Sequence, residues 1–193
     1  MKTIRFAVLG LATLFVAACL PVTTKVPIGS TVGFHADPAL LGIWKGHGDD
    51  DDSKDGIIVF LKDGEDGMTA ILLGPGGEDG WESFAIRTAT LGGHAYMSAR
   101  EQIKDGKPVN DEDARQDIAL SYRIVGGKLE LMLIDEKAAA AAITAGKIKG
   151  EVEPGGTGDV RITADAAEED AFFATKEGAA LFSSKLLVMK KLD

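Results

Sequence analysis

Asp117-Ile118-Ala119-Leu120-Ser121-Tyr122-Arg123-Ile124-Val125-Gly126-Gly127-Lys128-Leu129-Glu130-Leu131-Met132-Leu133-Ile134 decides the fold. Ile118, Leu120, Tyr122 and Ile124 alternate with Ala119, Ser121, Arg123 and Val125, the period of a strand with one face in a core. Gly126-Gly127 provides the positive φ angles of a tight turn, and Lys128 to Ile134 returns beside the first strand. Upstream, residues 56–62, 67–73, 81–90 and 94–101 read as further strands. Their connections run over residues 49–55, 63–66, 74–80 and 91–93, where Asp-Gly and Gly-Gly mark turns. Residues 102–116, rich in Asp and Lys, read as a loop. With Gly42-Ile43-Trp44 opening another strand, this predicts an antiparallel meander of about seven strands.

Downstream the pattern changes. Asp135 can cap a helix through the alanine run to Ala145, with Gly146 as its stop. Residues 148–153 and 159–163 read as a hairpin across Pro154-Gly155-Gly156-Thr157-Gly158. Asp165 caps a second helix with Glu168, Glu169 and Asp170 near its positive end, and Phe172, Phe173, Ala180, Leu181 and Phe182 on its apolar face. Residues 186–191 close the chain as a last strand. The fold class expected is mainly β with two inserted helices, the meander forming a small barrel or a strongly bent sheet.

The first twenty residues carry a different signal. Lys2 and Arg5 precede an apolar run, Phe6 to Ala18, that is too short to span a ~30 Å hydrocarbon core. Small residues then lead into Cys19, the one cysteine of the chain. Val16-Ala17-Ala18-Cys19 resembles the lipobox of bacterial lipoproteins. That resemblance implies cleavage after Ala18, a diacylglycerol-bearing and acylated Cys19, and, because Leu20 is not the aspartate of inner-membrane retention, an outer-membrane anchor with the body facing the periplasm. The alternative is an ordinary signal peptide ahead of a soluble secreted chain. Residues 1–18 are then the signal, 19–36 the lipidated N-terminus and tether, and 37–193 a single β-rich domain. The aliphatic residues of 21–36 alternatively cover one edge of the fold.

Removing residues 1–18 leaves 19 basic and 30 acidic residues, a net charge of −11 at pH 7. Such a body is a poor partner for nucleic acid or anionic headgroups, so membrane attachment falls to the acyl chains on Cys19. No disulfide is available, and the fold stands on its core.

A second resemblance lies in Gly42-Ile43-Trp44 after a short turn that Asp37 and Pro38 begin. It resembles the opening of lipocalin-type barrels, where the tryptophan plugs one end and the interior takes an apolar ligand. The late helices depart from that plan. If the sheet encloses a cavity, its lining is drawn from Trp44, Phe60, Ile71, Phe84, Tyr96 and Tyr122, and a solid core from the same residues is the favoured alternative for a small barrel.

Other chemistry is sparse. Asp51, Ser53 and Asp55 before Gly56 resemble the front of a calcium loop, but position twelve is Lys62 instead of a bidentate glutamate, so a solvated loop is expected. His35, His47 and His94 occur singly, without metal-ligand spacing. The chain has no Gly-x-Ser-x-Gly elbow, and the glycine runs at 74–77 and 155–158 have turn spacing rather than that of a phosphate loop. No cofactor is indicated. The expected function is a non-catalytic, membrane-anchored binding module for an apolar ligand or an envelope protein. The alternatives are an envelope hydrolase with an unidentified carboxylate or histidine site, and a structural or assembly lipoprotein.

Overall fold

The alternation along 118–125 closes into a ring of strands. A computed structural model of the chain describes residues 21–48, 55–74, 81–109, 116–153 and 160–192. In chain order the elements are β1 (Thr23–Thr24), β2 (Gly42–Gly48), β3 (Gly56–Asp63), β4 (Gly67–Leu73), β5 (Trp81–Leu91), β6 (His94–Lys104), β7 (Lys107–Pro108), β8 (Asp117–Val125), β9 (Lys128–Leu133), α1 (Glu136–Thr144), β10 (Gly150–Val152), β11 (Val160–Ile162), α2 (Ala166–Phe173), α3 (Lys176–Ala180) and β12 (Ser184–Lys191). The chain is mainly β, as its sequence predicts.

Strands β2 to β6, β8, β9 and β12 form a closed antiparallel barrel of eight strands. β6 pairs directly with β8, and β12 pairs with β9 on one side and β2 on the other. Inward residues Trp44, Ile58, Phe60, Met68, Ala70, Ile86, Met97, Ala99, Leu120, Tyr122, Leu129, Leu131, Leu187 and Met189 form one core. Gly46 is required where β2 meets β12, because a Cβ there would lie 2.1 Å from the Val188 carbonyl oxygen.

A second core forms outside the barrel. β1 extends the ladder of β8, pairs in parallel with β11, and β11 pairs with β10. Over this layer and the outer faces of β6 and β8 lie α1, α2 and α3. Tyr96, Ala119, Ile134, Ala142, Ile162, Phe172, Phe173 and Phe182 are buried between them. The tilted ring contacts of Tyr96 with Phe173 and Phe182, at 5.9 and 5.2 Å between centroids, anchor this cap.

Three expectations change. The helix after Asp165 is two helices, because Thr175 takes the Phe172 carbonyl through its hydroxyl (2.7 Å) and its backbone N–H (3.0 Å), then caps α3 at Gly178 N–H. The loop 102–116 is partly strand: β6 runs on to Lys104, and Ile103 and Lys104 pair with Pro108 and Lys107. Residues 21–36 are not a tether but part of the domain, since Val22, Thr24 and Ile28 are at most 2% exposed. Asp135 and Asp165 cap their helices as expected, and Gly146 follows α1 with φ +68°.

Trp44 is 1% exposed within the barrel core. Trp44→Ala is expected to cost about 3–5 kcal/mol through lost burial and the void left behind. Equilibrium urea unfolding checks this as a lowered midpoint.

Candidate functional site

One end of the barrel is sealed by the turn before β2. Asp37 Oδ1 accepts from Ala39 N–H (2.9 Å), and Leu40 is fully buried. The Leu40 carbonyl accepts from Trp44 Nε1 at 2.6 Å. Lys191 closes over the outside, its Nζ 5.4 Å from the Trp44 ring centroid and donating to the Ala39 carbonyl at 3.2 Å. Tyr122 donates its hydroxyl to Asp37 Oδ2 at 2.8 Å. Burial, followed by that carboxylate, raises the Tyr122 hydroxyl far above the usual phenol range. It is held as a neutral donor.

Of the six residues proposed to line a cavity, Trp44, Phe60 and Tyr122 are buried in the barrel core, and Phe84 packs against it. Ile71 has the opposite parity: Met68 and Ala70 point inward, while Ile71 pairs with Val59 and Ser83 on the outer wall. The run Ile71-Leu72-Leu73 has no period to betray this. Tyr96 lies in the outer core, donating its hydroxyl to the Phe173 carbonyl at 2.8 Å, with burial pushing that hydroxyl up to about 12. Tyr96, Met97, Ser98 and Ala99 are all buried, because β6 is covered on both faces. The interior is filled by side chains. Two depressions lie outside it: one of about 400 Å³ along Ile143, Ile148, Gly150 and Thr163, and one of about 40 Å³ at Ala85, Arg87, Arg100 and Asp117.

The densest buried chemistry sits under α2. Glu169 is fully buried, Asp117 is 3% exposed and Asp170 is 4% exposed. Asp170 Oδ1 accepts from Gly29 N–H (2.6 Å), and Oδ2 accepts from the Thr31 N–H (2.8 Å) and hydroxyl (2.6 Å). Ile28 N–H donates to Ser98 Oγ at 2.9 Å. The chain turns at Gly29 with φ +96°, where a Cβ would collide with the Cβ of Ala89 at 2.1 Å. Asp117 is paired with Arg100 at 2.5 Å. Neither carboxyl oxygen of Glu169 has a hydrogen-bond partner among the described residues. Its carboxyl is pushed up to about 9, first by burial and then by the negative fields of Asp170 and Asp117. Glu169 therefore keeps its proton at neutral pH. Asp170 binds the 28–31 turn to the domain, Asp117 is held by Arg100, and Glu169 is shut off from solvent, so these described carboxyls form no open acid–base pair.

In sequence Glu169 and Asp170 stand only as charges favourable near a helix start. Asp170 meets residues 29–31, about 140 residues away in sequence.

Asp55 pairs with Lys45 (3.2 Å) and lies 3.6 Å from His47 Nδ1; Asp51 and Ser53 lie outside the described residues, as do Ala18, Cys19 and the glycine-rich turns within 75–80 and 154–159. His35 bridges the backbone of Thr88, and the His94 ring lies 6.4 Å from that of Tyr96. Among the described residues no group of three or more His, Cys, Asp or Glu side chains is arranged to hold a metal. No family model, no curated protein and no solved structure matches the chain.

Glu169 sets a pH dependence with a definite sign. Between its ordinary value of 4.5 and about 9 the folded state holds a proton that the unfolded state has lost, so stability falls as pH rises through that window. Glu169→Gln is expected to raise stability at pH 7 to 8, and to flatten the profile of urea midpoints between pH 5 and 9. An unchanged slope would mean that the carboxyl is hydrated in solution.

Proposed function

We propose that this chain is a membrane-anchored periplasmic lipoprotein whose barrel is a non-catalytic binding module, engaging an envelope protein through its outer surface. The observation that carries this reading is the filled interior: Trp44, Phe60, Met68, Met97 and Leu129 are at most 2% exposed within one core. An apolar ligand has no space there without displacing packed side chains. The lipobox supports the anchor, and Leu20 supports the outer membrane as its destination. Among the described residues no helix is long and apolar enough to cross a membrane. Val22 is buried three residues after Cys19, so an anchor on Cys19 would hold the body close against the bilayer. The burial of Glu169 and the full engagement of Asp170 by the 28–31 turn weigh against the hydrolase alternative.

Two measurements test this. Metabolic labelling with a palmitate analogue is expected to mark the wild-type chain and to be lost in Cys19→Ser. Labelling that persists would refute the anchor. Native mass spectrometry of the purified protein is expected to give the covalently modified polypeptide alone, whereas a retained fatty acid or phospholipid would restore the ligand-carrier reading.

A further inference from the structure

The outer wall of the barrel over β2, β3 and β4 is apolar where a solvated wall would be polar. β3 reads Ile57-Ile58-Val59-Phe60-Leu61, a continuous run of the kind found in strands covered on both faces. Ile58 and Phe60 fill the interior. Ile57, Val59 and Leu61 point the other way and continue across the sheet in register, Val59 between Ile43 and Ile71, and Ile57 beside Leu73, which pairs with Trp81. Ile43, Leu61, Leu73 and Trp81 are 36–48% exposed. The outer faces of β6 and β8 have the α2 cap over them; among the described residues nothing covers this side, which lies across the ring from the cap.

The charges around the patch are segregated. Lys45, Lys190 and Lys128 stand side by side in one cross-strand row on the outer wall, level with Ile57. Like charges directly opposite one another destabilise a sheet. Asp55 offsets only Lys45, and Lys128 and Lys190 form no ion pair among the described residues. At the other end of β3, past Leu61, the β3–β4 turn exposes Asp63, Glu65 and Asp66 with Lys62 as the lone cation. The patch is thus apolar in the middle, cationic at one margin and anionic at another.

We propose that this wall binds the same wall of a second copy of the chain. A two-fold axis lying in the plane of contact near Val59 stacks the two apolar bands face to face. It also sets the lysine row of each copy against the Asp63-Glu65-Asp66 turn of the other. Isologous contact of this kind satisfies both margins at once, because one surface contributes both halves of the complementarity. An anionic bilayer answers only the lysines, and the buried Val22 keeps the anchored end on the far side of the barrel. The contact involves only the wall and forms whether or not Cys19 carries lipid.

The test uses the full chain with Val59→Cys and a short bis-maleimide linker, with the wild-type chain as the control for Cys19. A linked product at twice the 20.2 kDa chain mass is expected. Val152→Cys, exposed on β10 in the outer layer on the capped side, is expected to stay monomeric. Lys128→Glu with Lys190→Glu should cut the Val59→Cys product several-fold. Mixing those copies with copies carrying Asp63→Lys, Glu65→Lys and Asp66→Lys should restore it, since the reversed charges match again. A Val59→Cys chain that stays monomeric overturns the proposal, as does a product indifferent to charge reversal or a product of some other mass.

Discussion

The structure depends on β12 hydrogen-bonding along both of its edges. Pairing with β9 on one side and β2 on the other converts a meander with two open edges into a ring without any. Closure fixes the interior as a finite volume, and the inward side chains of eight strands fill it. It also imposes a folding order, because the pairing of Leu187 with Gly48 spans most of the chain and cannot stabilise anything until the local hairpins have formed. The elements between β9 and β12 are held together by that late strand. Their placement over β6 and β8 follows from where it must return.

The second core solves a different problem. A closed barrel of this size has no further interior to give, so Phe172, Phe173, Leu181 and Phe182 are buried against the outside of the wall. Tyr96 on β6 is the wall residue they meet, and its hydroxyl finds the Phe173 carbonyl, the arrangement expected of a buried phenol. The N-terminal segment completes this layer. Val22 and Ile28 add apolar area, while Asp170 supplies an acceptor to the Gly29 N–H, which would otherwise be buried without a partner.

Much of this was legible in residues 117–134 and in the turns. Period-two alternation and Gly-Gly or Asp-Gly pairs located most of the barrel strands, and Asp135 and Asp165 located two helix starts. The signal failed where both faces of a strand are covered or apolar, as at Ile71 and Tyr96, since parity then leaves no trace in composition. It failed again where a short polar residue interrupts a helix, because Thr175 between Ala174 and Lys176 reads as a tolerated helical residue. The buried carboxyls were opaque for a third reason: Asp170 is engaged by a turn distant in sequence, which no local pattern encodes.

The clamp of Asp170 on Gly29 and Thr31 has a mechanical meaning. Any pull entering the domain at Pro21 first loads the two-residue ladders of β1 and then the three hydrogen bonds to one carboxylate. These few bonds pass the load to β8 and α2, whereas the barrel's own ladders are longer. Residues 21–31 are thus the most lightly stitched part of the domain, held by two-residue ladders and one carboxylate, whereas the ring that closes at β12 is stitched along whole strands.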